Sequence, residues 1–262
     1  MTTDRIICTR EGAVGQIIFN NPDRHNAMSL EMWRDGETAI RELCEAGDIR
    51  AIVLTGAGEK AFVAGADISK FGEERDSQAA IDEYNASVRR FQDTLTHAPI
   101  PTIAKIGGYC IGGGLAIALC CDIRIATDDS RFAVPAAKLG LGYAANGIER
   151  LMQIVGPSFA MEIFYTARQF DAAEALTMGL VNRVVPRADL TEYCDGYTSR
   201  ISANAPLTIR AVKTAVSENL KPPSDRDTAL CDAQVAACFN SQDYIEGRTA
   251  FMEKRKPQFT GG

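Results

Sequence analysis

The residues best placed to do chemistry lie in one stretch, residues 106–122, which reads Ile-Gly-Gly-Tyr-Cys-Ile-Gly-Gly-Gly-Leu-Ala-Ile-Ala-Leu-Cys-Cys-Asp. It holds five glycines, three of them consecutive at Gly112, Gly113 and Gly114. Glycine has no Cβ, so the chain can turn sharply and bring a backbone N–H against a ligand atom. An apolar, β-branched run (residues 102–106) leads in, and an apolar run suited to a buried helix leads out. A helix starting at the triplet leaves its first N–H groups without intrahelical partners, and such a helix end attracts a partly negative oxygen. A second segment, residues 60–68, has the same character. Ala64, Gly65 and Ala66 permit close backbone approach, and Asp67 can cap or begin a short helix. Neither segment is a nucleotide loop. No Gly-Lys-Ser/Thr follows the triplet, and the GxGxxG spacing is missing.

The elements that must position these segments follow from periodicity and punctuation. Residues 5–10 and 14–19 read as a hairpin turning at Glu11-Gly12-Ala13. Residues 20–26 form a polar loop with Pro22. Ser29 caps a helix that runs to about Cys44 and is stopped by Gly47. Residues 51–55 read as a buried strand, 71–77 as a polar loop, 81–95 as a helix and 102–106 as the strand before the glycine turn. Two further extended stretches, 123–126 and 131–134, follow the buried helix. Beyond Gly147 the pattern is helical over 148–155, 157–166 and 171–178, with Gly156 and Gly179 as stops. A last short strand at 182–185 precedes helix to Lys256, broken near Pro206 and Pro222-Pro223. Alternating strands and helices imply an α/β core with parallel strands. The expected division is a core over residues 1–188 and a helical region over residues 189–262.

Bulk properties exclude several classes. A net charge of −6 and a pI near 5.1 argue against nucleic acid as a partner. No apolar run suits a membrane span, and the first residues lack the pattern of a signal peptide, so a cytoplasmic protein is expected. Eight cysteines without CxxC spacing read as free thiols in a reducing compartment. The two histidines, His25 and His97, have no neighbours at ligand spacing, so no metal is expected.

The two glycine segments taken together are specific. Ala64-Gly65-Ala66-Asp67-Ile68, then Gly108-Tyr109-Cys110-Ile111-Gly112-Gly113-Gly114 ahead of an apolar helix ending Cys121-Asp122, resembles the crotonase superfamily, the enoyl-CoA hydratase/isomerase family. Asn20-Asn21-Pro22-Asp23-Arg24-His25-Asn26-Ala27-Met28 resembles that family's N-terminal loop. Leu139-Gly140-Leu141, Gly147-Ile148-Glu149-Arg150-Leu151, Asp171-Ala172-Ala173-Glu174-Ala175 with Gly179-Leu180-Val181-Asn182, and the closing Glu253-Lys254-Arg255-Lys256-Pro257-Gln258-Phe259 extend the likeness over nearly the whole chain. The resemblance implies a crotonase-like spiral of ββα units with a C-terminal helical region that builds trimers, often paired into hexamers. It implies an acyl-CoA substrate, with CoA carried as part of the substrate and no separate cofactor. By position, the N–H groups of Ala66 and Gly113 form an oxyanion hole around the thioester oxygen, beside Gly112. Ala64, Ala66, Asp67 and Ile68 line the adenine and pantetheine path. Arg24 is a candidate for the CoA phosphates or else a solvated loop charge, and the Lys254-Arg255-Lys256 run has the same two readings.

The sequence departs from the family where acid–base chemistry is expected. Hydratases of the family use two glutamates to place and deprotonate a water. The positions that correspond to them hold Ala116 and Ala136, which line the substrate site but can move no proton. Simple hydration is therefore doubtful. Tyr143 and Asn146 stand in the following loop, and the methylmalonyl-CoA decarboxylase branch looks similar there, with a tyrosine at the position of Tyr143. Loss of CO₂ makes the enolate without a base and needs only a proton afterwards. Tyr143 reads either as that donor or as a packed aromatic, and Asn146 either as a polar site residue or as a helix N-cap. Glu149 reads as a surface or capping residue, and Glu73 and Glu74 as a charged loop pair that is solvated or closes over substrate. The expectation is a lyase or isomerase of the enoyl-CoA hydratase/isomerase type. The alternatives are a malonyl-type acyl-CoA decarboxylase and a non-catalytic acyl-CoA binder.

Overall fold

β2 (Val14–Phe19), which alternates half-buried and buried side chains, pairs with β1 (Ile6–Glu11) as an antiparallel hairpin, Ile6 opposite Phe19 and Glu11 opposite Val14. The structure is a computed structural model that describes residues 4–74 and 76–262, the side chains of Phe71, Glu73 and Asn146 excepted. After β2 comes helix α1 (Leu30–Glu45). The Ser29 hydroxyl caps it, accepting the Met32 N–H at 3.3 Å. Its apolar stripe buries Met32, Trp33, Ile40 and Leu43.

From here a strand pair and a helix recur. β3 (Ala51–Gly56) and β4 (Ala61–Val63) precede the one-turn α2 (Phe71–Glu74) and the long α3 (Gln78–Thr96). β5 (Thr102–Ile106) and β6 (Tyr109–Ile111) precede α4 (Gly113–Cys120). β7 (Ile123–Thr127) and β8 (Arg131–Ala133) precede α5 (Ala145–Thr166). In each pair the first strand joins one sheet and the second joins another. The larger sheet has the order β1-β2-β3-β5-β7-β10, where β10 is Arg183–Val185. The smaller has β4-β6-β8-β9, where β9 is Phe170–Asp171. Apart from the β1–β2 and β8–β9 pairs, all neighbours are parallel. Both sheets are thus mixed, and the chain winds between them as a spiral of ββα units.

The larger sheet is covered on both faces, as a mostly parallel sheet must be. Ala104 and Ile106 face the main core, where Trp33, Phe19, Phe62 and Phe91 are fully buried. Phe19 meets Phe62 edge-on with ring centroids 5.6 Å apart, and Trp33 meets Phe91 at 5.2 Å. Val53, Ile103 and Ile125 point the other way, against Leu190 and Cys194 of α7 (Leu190–Ser202). The short α6 (Ala172–Thr177) is held by a reciprocal capping box between Asp171 and Glu174.

The last three helices, α8 (Pro206–Leu220), α9 (Thr228–Phe239) and α10 (Gln242–Glu253), sit outside both sheets. Lys213 ties α8 to the core, donating to Asp122 at 2.8 Å and to the Ile100 carbonyl at 3.0 Å. Asp243 holds the tail by accepting the N–H groups of Thr260 and Gly261. α9 buries no residue, and Val235, Phe239, Ile245, Phe251 and Met252 stand exposed. Among the described residues no helix is long and apolar enough to cross a membrane, and the eight cysteines are free thiols.

Several local expectations need correction. β4, β6 and β9 are two or three residues long, too short to show a period of two in the sequence. The stretch expected to be loop at 71–77 contains α2. α5 begins at Ala145 rather than at Ile148, with Ala144 as its N-cap, so Asn146 lies inside the first turn and is not the cap. The expected break at Gly156 is present as a kink, with φ 76° and ψ 167° ahead of Pro157.

Candidate active site

The triplet Gly112–Gly114 folds as the N-terminus of α4, and its shape follows from contacts a side chain would destroy. A Cβ on Gly114 would stand 1.9 Å from the Val63 carbonyl oxygen, so α4 starts pressed against the end of β4. Gly112, the N-cap, takes φ 53° and ψ −113°, a backbone that L side chains rarely adopt. Gly112 donates its N–H to the Ala133 carbonyl at 2.8 Å, and its own carbonyl takes the Ala116 N–H at 3.0 Å. Gly113 therefore begins the helix with its N–H unused among the described residues.

The second segment approaches from the other side. Met28 donates to the Gly65 carbonyl at 2.8 Å and accepts the Asp67 N–H at 2.9 Å, a bridge that brackets Ala66 and leaves its N–H free. Among the described residues the Ala66 N–H likewise donates to no partner. A Cβ on Gly113 would lie 3.7 Å from the Gly65 carbonyl carbon, the atom bonded to Ala66 N. That puts the Ala66 nitrogen within about 5 Å of the same point. Two unengaged amides from separate segments thus flank Gly65, Ala66 following it in the chain and Gly113 packed against it. Trp33 floors this spot, its Cζ2 lying 3.5 Å from the Gly113 Cβ position. Its ring is fixed by an Nε1–H bond to the Tyr84 hydroxyl at 3.1 Å. Sequence reasoning missed Trp33, because on α1 it reads as one more apolar residue of the buried stripe.

The other expected residues fall into three groups. Near the glycine triplet, Ala136 is buried in a single turn after Pro135, and a Cβ on Gly112 would lie 3.9 Å from the Pro135 ring. Ala64 donates to the His25 carbonyl at 3.0 Å. Asp67 is buried, and its carboxylate accepts the N–H and hydroxyl of Ser69, so it starts a short turn at Ile68–Lys70. Ile68 is 62% exposed beside it.

A second group lies along the far part of α4. Ala116 lines a groove of about 800 Å³ together with Leu119, Cys120, Gly147, Glu149 and Arg150. Tyr143 packs edge-on against Phe164, with ring centroids 4.9 Å apart, and over Gly147. Burial, and behind it the Cys120 thiol, push its hydroxyl pKa up, so it stays protonated at neutral pH. The side chain of Asn146 lies outside the described residues. Arg24 forms the third group: it ends an exposed turn at Pro22–Arg24, next to His25, whose ring meets Tyr109 edge-on at 6.0 Å.

Comparison with known proteins bears directly on this geometry. The enoyl-CoA hydratase/isomerase family model matches residues 9–262. The chain is 35% identical to the short-chain-enoyl-CoA hydratase of Clostridium acetobutylicum over 258 residues, 98% of this chain and 97% of the relative. It is 33% identical to the crotonyl-CoA hydratase of Syntrophomonas wolfei over 259 residues, 99% of each. The crystal structure of an enoyl-CoA hydratase/carnithine racemase from Magnetospirillum magneticum superposes with a TM-score of 0.93 at 36% identity, covering 99% of this chain and 97% of that one.

Proposed function

This chain belongs to the enoyl-CoA hydratase/isomerase family, whose members act on acyl-CoA, and from that premise we propose that its reaction runs through a thioester enolate held by the Ala66 and Gly113 amides. The observation that carries this reading is the pair of unused N–H groups that flank Gly65. When a thioester enolises, charge moves onto one oxygen. Two preorganised donors stabilise that state over the ground state, and one such donor is commonly worth on the order of 3 kcal/mol. Ala64, Asp67 and Ile68 line the pantetheine path, Gly112 shapes the turn, and Arg24 meets the CoA phosphates. Ala116 and Ala136 stand where the hydratases carry their two glutamates, so this enzyme adds water to an enoyl-CoA poorly. The protomer assembles as a trimer, or a dimer of trimers, which supplies a cover for the apolar face of α9 and α10. Sedimentation at a monomer mass would refute that assembly.

Decarboxylation of a malonyl-type CoA is the second reading, with the half-buried Tyr143 hydroxyl as the group that returns a proton to the enolate. Three assays on the purified protein separate the possibilities. Crotonyl-CoA hydration, followed by loss of the conjugated-thioester absorbance, is expected to be at least roughly 100-fold slower than for the Clostridium relative run alongside. An equal rate contradicts the reading of Ala116 and Ala136. Release of CO₂ from methylmalonyl-CoA that is lost in Tyr143→Phe supports decarboxylation. Tight CoA thioester binding without turnover on any thioester leaves a binder.

A further inference from the structure

The carboxylate of Glu74 has no role in the reading above, and its surroundings are unusual. Its Oε1 accepts the Leu30 N–H at 3.0 Å, at the first residue of α1. Its Oε2 is buried and has no hydrogen-bond partner among the described residues. A buried acceptor left unpaired costs about 1–3 kcal/mol, so such an atom calls for an explanation. The position of Leu30 supplies one. Two residues before it, Met28 brackets Ala66 through Gly65 and Asp67. Three residues after it, on the same face of α1, Trp33 touches the Gly113 position. Glu74 is therefore pinned to the stretch of chain that brackets Ala66 and touches the Gly113 position, its anchor Leu30 lying about one helical turn, ~5 Å, from Trp33 along the axis.

Other carboxylates are less well placed. Asp67 is committed to Ser69. Asp35 also has an unpaired buried oxygen, but two residues from Trp33 it projects from the opposite side of α1. Glu149 is exposed in the groove along the far part of α4.

We propose that Glu74 is the proton-transferring carboxylate of this acyl-CoA site, carried on α2 instead of at positions 116 and 136. The proposal rests on the enolate reading above. In the step, the C–H bond at the thioester α-carbon breaks and its proton goes to Glu74 Oε2. The C–H electron pair becomes the enolate double bond, and the carbonyl pair moves onto the oxygen that faces Ala66 and Gly113. Return of the proton to the α-carbon reverses the step, and its return to the γ-carbon of an enoyl chain shifts the double bond.

The test is exchange of the α-hydrogens of butyryl-CoA in D₂O, read by mass spectrometry on the full-length protein. Glu74→Gln keeps a carbonyl oxygen for the Leu30 N–H and removes the base. Exchange is expected to slow by roughly 100- to 10,000-fold in this variant, with unchanged butyryl-CoA affinity by calorimetry and an unchanged melting temperature. Exchange at the wild-type rate in Glu74→Gln overturns the proposal and leaves the enolate reading intact. Loss confined to Glu74→Ala also overturns it, because the residue is then only a cap for α1. No exchange in the wild type overturns the enolate reading and this proposal together.

Discussion

The two ends of α4 are built on opposite rules. At its N-terminus no side chain caps the helix, and the Gly113 N–H is left bare beside the equally bare Ala66 N–H. At its C-terminus the carbonyls are claimed by arginines. Arg150 Nε donates to Leu119 O at 3.0 Å, and Arg124 Nη1 donates to Cys121 O at 2.8 Å. Arg124 also reaches Leu180 O through Nε at 2.8 Å. It is only 5% exposed, and burial pulls its guanidinium below the ordinary arginine pKa. Two cations, one of them buried at a cost, serve one end of an eight-residue helix while the other end receives nothing. The helix dipole favours both choices: cations suit the C-terminus, and an incoming anion suits the N-terminus. The contrast shows that the open donors stand in a helix whose other end is fully provided for, as the proposed oxyanion site requires.

The comparison can be broken most forcefully at Gly114. Its added methyl would strike a backbone oxygen at 1.9 Å, so Gly114→Ala is expected to lose about 3 kcal/mol or more in urea unfolding, or to fail to fold. A variant of wild-type stability would show that β4 does not pin the start of α4. Next comes Arg124→Met. It fills similar space but leaves the Cys121 and Leu180 carbonyls without their donor, a loss of roughly 2–4 kcal/mol offset in part by no longer burying a charge. Denaturant midpoints measure this, and no loss would mean that the carbonyls find other partners. The smallest effect on stability, and the sharpest test of the open end, is Gly113→Ala. The new methyl meets only ordinary contacts at 3.5–3.8 Å, and alanine is the better helix former, so stability should stay within about 1 kcal/mol. The methyl nevertheless sits between the two amide segments, so affinity for a CoA thioester should fall by calorimetry. Unaltered binding would separate Gly113 from the ligand.

How far these features were legible depends on how local they are. The strands at residues 14–19, 51–55 and 102–106 announce themselves by apolar runs between turn residues, and the Ser29 cap is where the sequence puts it. The paired glycine segments were legible because their residue types are tied to a backbone purpose. Trp33 and Glu74 were not. Nothing in α1 marks Trp33 as the floor of a site, since that role depends on Gly113, 80 positions away in the chain. Glu74 reads as half of a charged pair in a polar loop, and only the fold sets it on Leu30. Tyr143 shows the converse. Its residue type suggested chemistry, and the fold packs it against Phe164 beside the far part of α4, so its role rests on the decarboxylation assay.

Two sulfur atoms are walled into the layer that carries this helix. Cys110 lies on β6 and Cys121 follows α4; both are fully buried, and burial drives their thiols away from the reactive thiolate form. An alkylating reagent can reach them only when that layer parts from its neighbours. The molecule thus carries its own clock for such openings, one that needs no engineered label and ticks in the layer that holds the glycine triplet.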